Sequence, residues 1–178
     1  MTPANLTDPV SVLLRFNDLT RARLQGLRSG QADMAHQPVS ATHQAAIDWL
    51  EGPAQTQRLV LEDLVYPALV ESMAGSDAVC LRNLTGNLTR ERDELDRLWR
   101  AAILPGLLAK APDDTGVRVW ITDFESHLRQ VDEELLPMVP RLFDDEALDA
   151  LAQACESLLR VPDQPSSSAA DSAWKNSR

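Results

Sequence analysis

A chain of 178 residues is long enough for one domain with a sizeable core, because a domain near this length buries roughly 70% of its unfolded surface. A net charge of −10 argues against nucleic acid as a partner, since phosphates require clustered Lys and Arg. We also expect no membrane segment, because no apolar run approaches roughly 20 residues. Leu and Ala dominate over aromatic residues, which favours helices over sheet.

The two cysteines, Cys80 and Cys155, lie in helical patterns and lack the spacing of a metal site. We expect both to be reduced, partly buried and structural. The start of the chain has no basic end followed by an apolar core, so no signal peptide is expected. Together these features predict a cytoplasmic protein.

The first half of the chain predicts two helices. Asp8-Pro9 starts the first, which covers about 9–29 and ends at Gly30. Its apolar side is formed by Val10, Leu13, Leu14, Leu24 and Leu27. After the connection 31–39, Ser40 can cap a helical segment that Gly52-Pro53 interrupts. The second helix then runs from near Ala54 to about Met73, with Pro67 as an expected kink.

The second half predicts three further helices. The third begins at Ser76 or Asp77, and its apolar stripe extends through Leu81, Leu84, Leu88, Leu95, Leu98, Trp99 and Ile103. It should kink or fray at Pro105-Gly106. The fourth spans about 117–143, with soft interruptions at Pro137 and Pro140. Asp144-Asp145 caps the fifth. We expect one helical domain over residues 8–160, with disordered ends at 1–7 and 161–178.

Two stretches, seventy residues apart, share one pattern of a polar residue, an acidic pair and a closing proline. They are Thr56–Pro67 and Ser126–Pro137. When the prolines are aligned, His127 falls on Gln57 and Val131 falls on Leu61. Residues at i and i+4 share one helix face, so each of these pairs should point into the same core.

This pattern resembles the hemerythrin-like family (the HHE cation-binding domain), in which four helices surround a two-iron centre. Two of those helices carry His-x3-Glu-Glu-x3-Phe-Pro, and the other two each supply a further His. The segments Leu13–Asn17 and Glu91–Trp99 also resemble family stretches. The resemblance covers about residues 8–160 and implies an all-α, up-down-up-down four-helix bundle with an additional C-terminal helix.

The resemblance also assigns the family's ligand positions to residues of this chain, and only His127 is a ligand type. The six positions are Asn17, Gln57, Leu61, Arg92, His127 and Val131. Leu61 and Val131 replace the bridging carboxylates that would hold iron or manganese. A fixed charge at Arg92, about 5 Å from a divalent ion, would repel it by roughly 6 kcal/mol at an effective dielectric near 20. We therefore predict no di-iron site, no other cofactor and no catalytic residues.

The polar residues left near these positions predict a hydrogen-bonded network in the place of the metals. Its candidate members are Arg92, His127, Gln57, Asn17, Glu62 and Asp132. Arg92 should pair with a carboxylate of Glu62, Asp132 or Glu133, or else extend to solvent. The acidic runs Glu62-Asp63 and Asp132-Glu133-Glu134 are otherwise expected to form a solvated face.

The remaining candidates have structural interpretations. His127 is expected to be a hydrogen-bonded core residue, and Tyr66 to serve in packing. His36 and His43 are expected at the surface, where Asp33 or Asp48 could help them bind an adventitious metal.

Three functions remain open from the sequence. The first is a non-enzymatic binding, regulatory or scaffold module, either a homodimer or the partner of another protein. The second is a metal-binding protein with a non-standard iron site around His127, used in oxygen, nitric oxide or redox sensing or in metal handling. The third is a small-molecule pocket in the former metal cavity, gated by Asn17, Gln57, Arg92 and His127.

Overall fold

The computed structural model describes residues 8–29, 41–109 and 111–159. Within these ranges the regular structure is helical throughout and includes no strand. In the same ranges, no helix is both long and apolar enough to cross a membrane. Some of the sequence predictions concern residues outside these ranges. They are the disordered ends, the end of the first helix at Gly30, the connection 31–39 and the cap at Ser40.

The α-helices are numbered in chain order and are joined in three places by π-helical turns. The first half contains α1 (Pro9–Ser29), α2 (Ala41–Glu51), α3 (Pro53–Leu59), the turn π1 (Val60–Val65) and α4 (Tyr66–Glu71). The second half contains α5 (Gly75–Leu98), π2 (Trp99–Ile103), α6 (Leu104–Leu108), α7 (Asp114–Gln130), π3 (Val131–Leu135), a 3₁₀ turn (Leu136–Met138), α8 (Val139–Leu142) and α9 (Asp145–Leu159).

Several predicted helix boundaries are confirmed. The Asp8 carboxylate accepts the Ser11 backbone N–H at 3.0 Å, and Pro9 is the first residue of α1. The Asp144 carboxylate accepts the Ala147 N–H at 2.9 Å in the same way, before α9. Gly52 separates α2 from α3, with Pro53 as the first residue of α3.

Three prolines lie inside continuous helical rods, each two residues after a π-helical turn. A proline in an α-helix has no N–H to donate, and its ring clashes with the carbonyl four residues back. In each rod the residue before the proline donates its N–H to the carbonyl five residues earlier instead of four, so this turn of the helix contains one additional residue. These bonds join Tyr66 to Leu61, Leu104 to Trp99 and Leu136 to Val131. The helical hydrogen bonding therefore continues past Pro67 and Pro105.

The helices pack around a leucine-rich interior. Helix α1 contacts α2, α7 and α9, while α9 also covers α3 and π1. Helices α5 and α7 run antiparallel, since Glu91 contacts His127 late in α7, whereas Trp99, directly after α5, stacks on Trp120 earlier in α7. The residues with no exposed surface include Leu13, Leu24, Leu27, Leu88, Ile121, Leu135, Val139 and Leu151.

Two predicted positions differ from the structure. Leu14 is 37% exposed, because it lies one residue, about 100° of helix, beyond Leu13 on α1. Cys80 is free and exposed on α5, whereas Cys155 is free and buried as predicted. Burial raises the pKa of the Cys155 thiol to about 11, which keeps this thiol protonated.

Replacing Leu13 with Ala should lower the free energy of unfolding by about 2–5 kcal/mol, because it opens a cavity in the core. The neighbouring change Leu14→Ala is the matched control and should cost less than about 1 kcal/mol. Urea denaturation of both variants measures the difference. Equal losses would contradict the orientation of α1.

Candidate functional site

The six positions to which the family resemblance assigns metal ligands line one cavity. They are Asn17 on α1, Gln57 on α3, Leu61 in π1, Arg92 on α5, His127 on α7 and Val131 in π3. The lining is completed by Arg58, Glu62, Tyr66 and Leu128. The cavity volume is about 10 Å³, which leaves room for roughly one water molecule.

The π-helical turns place the two aliphatic residues of this cavity. Leu61 is the second residue of π1, and Val131 is the first residue of π3. Their carbonyls accept the widened hydrogen bonds from Tyr66 and Leu136, while both side chains are buried. Each of these π-helical turns therefore includes, in its first two residues, one aliphatic side chain of the cavity.

A chain of side-chain hydrogen bonds crosses one side of the cavity. The Gln57 amide donates to Asn17 Oδ1 at 2.6 Å. Asn17 Nδ2 in turn donates to Asp132 Oδ1 at 2.5 Å, and Asp132 Oδ2 accepts from Arg21. This chain links α3, α1 and π3, and its far end at Arg21 and Asp132 is partly exposed.

An ion-pair network occupies the other side. Arg92 Nε donates to Asp96 Oδ1 at 3.0 Å, and Arg58 Nη1 donates to Asp96 Oδ2 at 2.7 Å. Arg58 also bonds Glu62 through its Nε at 2.9 Å, and Asp93 through its Nη2. The carboxylate of Asp96 therefore joins two guanidinium groups, one from α3 and one from α5.

Arg92 is held in the interior by three kinds of contact. It is 5% exposed, and besides Asp96 it donates from Nη2 to the Ala54 carbonyl at 3.4 Å. Its guanidinium carbon lies 4.7 Å from the centre of the Phe124 ring, in a cation–π arrangement. Burial lowers the pKa of Arg92, and the charge of Asp96 opposes this shift. Burial alone would also lower the pKa of Arg58, but its bonds to Glu62, Asp93 and Asp96 raise it instead.

His127 lies between the cavity and the protein surface. Its Nδ1 is 3.4 Å from Glu91 Oε2, and its ring meets Phe124 edge-on at 6.4 Å. Burial, followed by the charge of Arg92, lowers the pKa of His127 to about 4. The imidazole is therefore neutral at pH 7. A protonated ring would place a second positive charge near the guanidinium of Arg92.

The acidic partner predicted for Arg92 is wrong. Arg92 pairs with Asp96, one helical turn along its own helix, and not with Glu62, Asp132 or Glu133. Asp132 binds Asn17 and Arg21, Glu62 binds Arg58, and Glu133 is exposed. Of the acidic runs expected on a solvated face, Asp63, Glu133 and Glu134 are exposed. The expectation is wrong for Glu62 and Asp132, which are half-buried and paired with arginines. Tyr66 is buried at the cavity wall, where burial raises its pKa.

Sequence reasoning missed four residues of the networks: Asp96, Asp93, Arg58 and Arg21. The i, i+4 spacing of Arg58 with Glu62 and of Arg92 with Asp96 was a usable signal. No comparable spacing identifies Arg21, because its partner Asp132 is distant in the sequence.

The surface assignment of His43 is wrong, and His36 lies outside the described residues. His43 is fully buried on the face of α2 that also buries Ala46, Ile47 and Leu50. The three residues follow His43 at i+3, i+4 and i+7, so the helical period predicts that His43 is buried with them. Asp48, its suggested metal partner, is exposed on a different face.

The residues present at the centre do not fit a two-iron site. Two positions are aliphatic, Arg92 is a buried cation, and Asn17 and Gln57 are hydrogen-bonded to each other. Within the described residues, no group of three or more His, Cys, Asp or Glu side chains is arranged to hold a metal ion. We derive no metal chemistry from this cavity.

Comparisons of this chain with protein-family models, curated proteins and solved structures found no match.

Replacing Arg92 with Met should lower the free energy of unfolding by about 1–3 kcal/mol, because the buried Asp96 loses one of two guanidinium partners. Arg97→Met is the matched control on the same helix: its pair with Glu94 is solvent-exposed, so stability should not change. Urea denaturation measures both. If the two changes were equally neutral, Arg92 would be solvated and the network would be wrong.

The stability of the protein should depend on the titration of His127. Because its pKa falls from 6.5 to about 4 on folding, the unfolded chain binds more protons than the folded chain between these pH values. The free energy of unfolding should therefore decrease as the pH falls through this window, by at most about 3 kcal/mol. Urea titrations from pH 7 to pH 4 should show a weaker decrease in His127→Gln. Parallel curves for the variant and the unmodified protein would refute this assignment.

Proposed function

We propose that this chain is a hemerythrin-like four-helix bundle with an added C-terminal helix, in which a polar network has replaced the di-iron centre. It acts as a non-enzymatic binding or regulatory module. In this proposal α1, α3–α4, α5–α6 and α7–α8 are the four rods, and α9 is the added helix.

The proposal is supported mainly by the convergence of the six former ligand positions on one cavity. They were selected from motif alignment alone, and they belong to four separate parts of the chain. The π-helical turns and prolines at matching places in both halves are a second supporting observation.

The character of the cavity supports the loss of iron. A two-metal site needs bridging carboxylates and imidazoles, but here Leu61 and Val131 fill the bridging positions. The charged side chains beside the cavity are paired within the protein, because Arg58 and Arg92 both bond Asp96. A cavity of about 10 Å³ would have to expand before it could hold two ions and their ligands.

The alternative is a mononuclear metal site around His127, which Glu91 approaches at 3.4 Å. We favour the module without metal, because the pair would need further ligands from a face that contains the buried cation Arg92. We also propose a cytoplasmic location, which the free thiols of Cys80 and Cys155 support, and a protein partner or second copy as the binding target.

Elemental analysis of protein produced with supplemented iron, combined with a visible spectrum, tests this proposal. We expect no stoichiometric iron and no oxo-bridge absorption band. About two iron atoms per chain with such a band would overturn the proposal. About one iron atom per chain, lost in His127→Gln, would establish the alternative.

Reversing the replacements provides a test of the alignment. A variant with Asn17→His, Leu61→Glu, Arg92→His and Val131→Glu should acquire affinity for iron or manganese. The matched control keeps both histidines but changes Leu61 and Val131 to Gln, which supplies similar size without charge. Metal uptake by the Glu variant alone supports the alignment. If a folded Glu variant takes up no more metal than its control, the alignment is wrong.

A further inference from the structure

A groove of about 310 Å³ opens on the surface between α5 and α7. Helix α5 lines it with Glu91, Glu94, Leu95 and Leu98, which are spaced i, i+3, i+4 and i+7. Helix α7 lines it with four residues at the same spacing, from Asp123 to Gln130. Such a spacing is one face of a helix, so one face of each helix borders the groove, and four of the eight lining residues are exposed.

The walls of this groove combine apolar and acidic surface. Leu95 is buried and Leu98 is half-buried, so they form an aliphatic floor. Glu91, Glu94 and Asp123 are exposed around it. The groove lining contains no Lys or Arg side chain.

Two of the three carboxylates are not neutralised by a described residue. Glu91 has no Lys or Arg partner among the described residues, and its contact is His127 Nδ1 at 3.4 Å. Asp123 has no ion-pair partner among residues 8–29, 41–109 and 111–159. In contrast, Glu94 is paired with Arg97, and the interior carboxylates are paired with Arg58.

We propose that this groove binds a small organic cation with an aliphatic body, such as an α,ω-diamine. Its ammonium groups would be paired by Glu91 and Asp123, while its methylene chain would cover Leu95 and Leu98. The groove volume is near the lower end of small-molecule sites, which span roughly 300–1,000 Å³, so a ligand of this size fits better than a folded partner. This inference deepens the proposed function, on which it rests, by naming a ligand class for the module.

His127 connects the groove with the interior of the protein. Its side chain lines both the groove and the central cavity, and its ring contacts Phe124, on which Arg92 stacks. A cation bound beside Glu91 would therefore act on the side chain that separates the surface from the ion-pair network. Binding of a ligand in the groove would thus be coupled to the packing of the core.

Calorimetric titration of the iron-free, full-length protein with 1,8-diaminooctane at low ionic strength tests the inference. We expect saturable binding with one ligand per chain. Octane-1,8-diol has the same aliphatic body without charge, and Mg²⁺ has charge without the body. Neither should bind comparably.

Glu91→Gln and Asp123→Asn should each weaken binding of the diamine by about 2- to 5-fold, as expected for one exposed ion pair. Asp149→Asn removes the same charge from an exposed site on α9 and is the matched control. It should leave the affinity unchanged. Circular dichroism confirms that all three variants are folded.

Four results would overturn the inference: no saturable binding of the diamine, equal binding of the diol, equal binding of Mg²⁺, or an equal loss in Asp149→Asn. Binding of a tetralysine peptide without binding of the diamine would also overturn it, in favour of a peptide site. None of these results changes the iron content, which alone decides the loss of the metal centre. Failure of the groove and failure of the proposed function are therefore distinguishable.

Discussion

The structure depends on the carboxylate of Asp96, which two guanidinium groups share. Arg92 and Asp96 are each about 5% exposed, and a charge buried at this depth without a partner costs several kcal/mol. Arg58 reaches the same carboxylate from α3, so α3 and α5 must keep the register at which both bonds form. The stacking of Arg92 on Phe124 extends this constraint to α7. A buried ion pair of this kind adds little stability over apolar residues, but it penalises every arrangement that separates its members.

The π-helical turns position the rest of the site around this pair. Each turn absorbs the defect that a proline would otherwise cause, and it shifts the following residues by one position. The aliphatic residues of the cavity, Leu61 and Val131, lie within the first two residues of π1 and π3. The interior thus contains an apolar side and a polar side, with Asn17 and Gln57 joined by hydrogen bonds between them. The same helices present His127 at the boundary with the surface groove.

Much of the helical framework could be predicted from the sequence, because caps and prolines are local signals. The six residues that gather at the cavity were also predictable: proline alignment pairs Gln57 with His127 and Leu61 with Val131, and the resemblance of two further segments adds Asn17 and Arg92. The i, i+4 spacing of Arg92 and Asp96 was a local signal for their pairing, but acidic residues of other helices were also candidates, and only packing decides among them. Assigning His43 to the surface ignored its helical period with Ala46 and Ile47. The groove depends on the separation of α5 and α7, which no local pattern encodes.

The central claim is our proposal that a guanidinium and its carboxylate occupy the place where a hemerythrin-like protein holds two irons. The most direct measurement is a crystal structure of protein produced in iron-rich medium, with diffraction recorded at the iron absorption edge. The account predicts Arg92 bonded to Asp96 and no anomalous peak among Asn17, Gln57 and His127. An anomalous peak in that cavity, with His127 bonded to it and Arg92 turned outward, would contradict it.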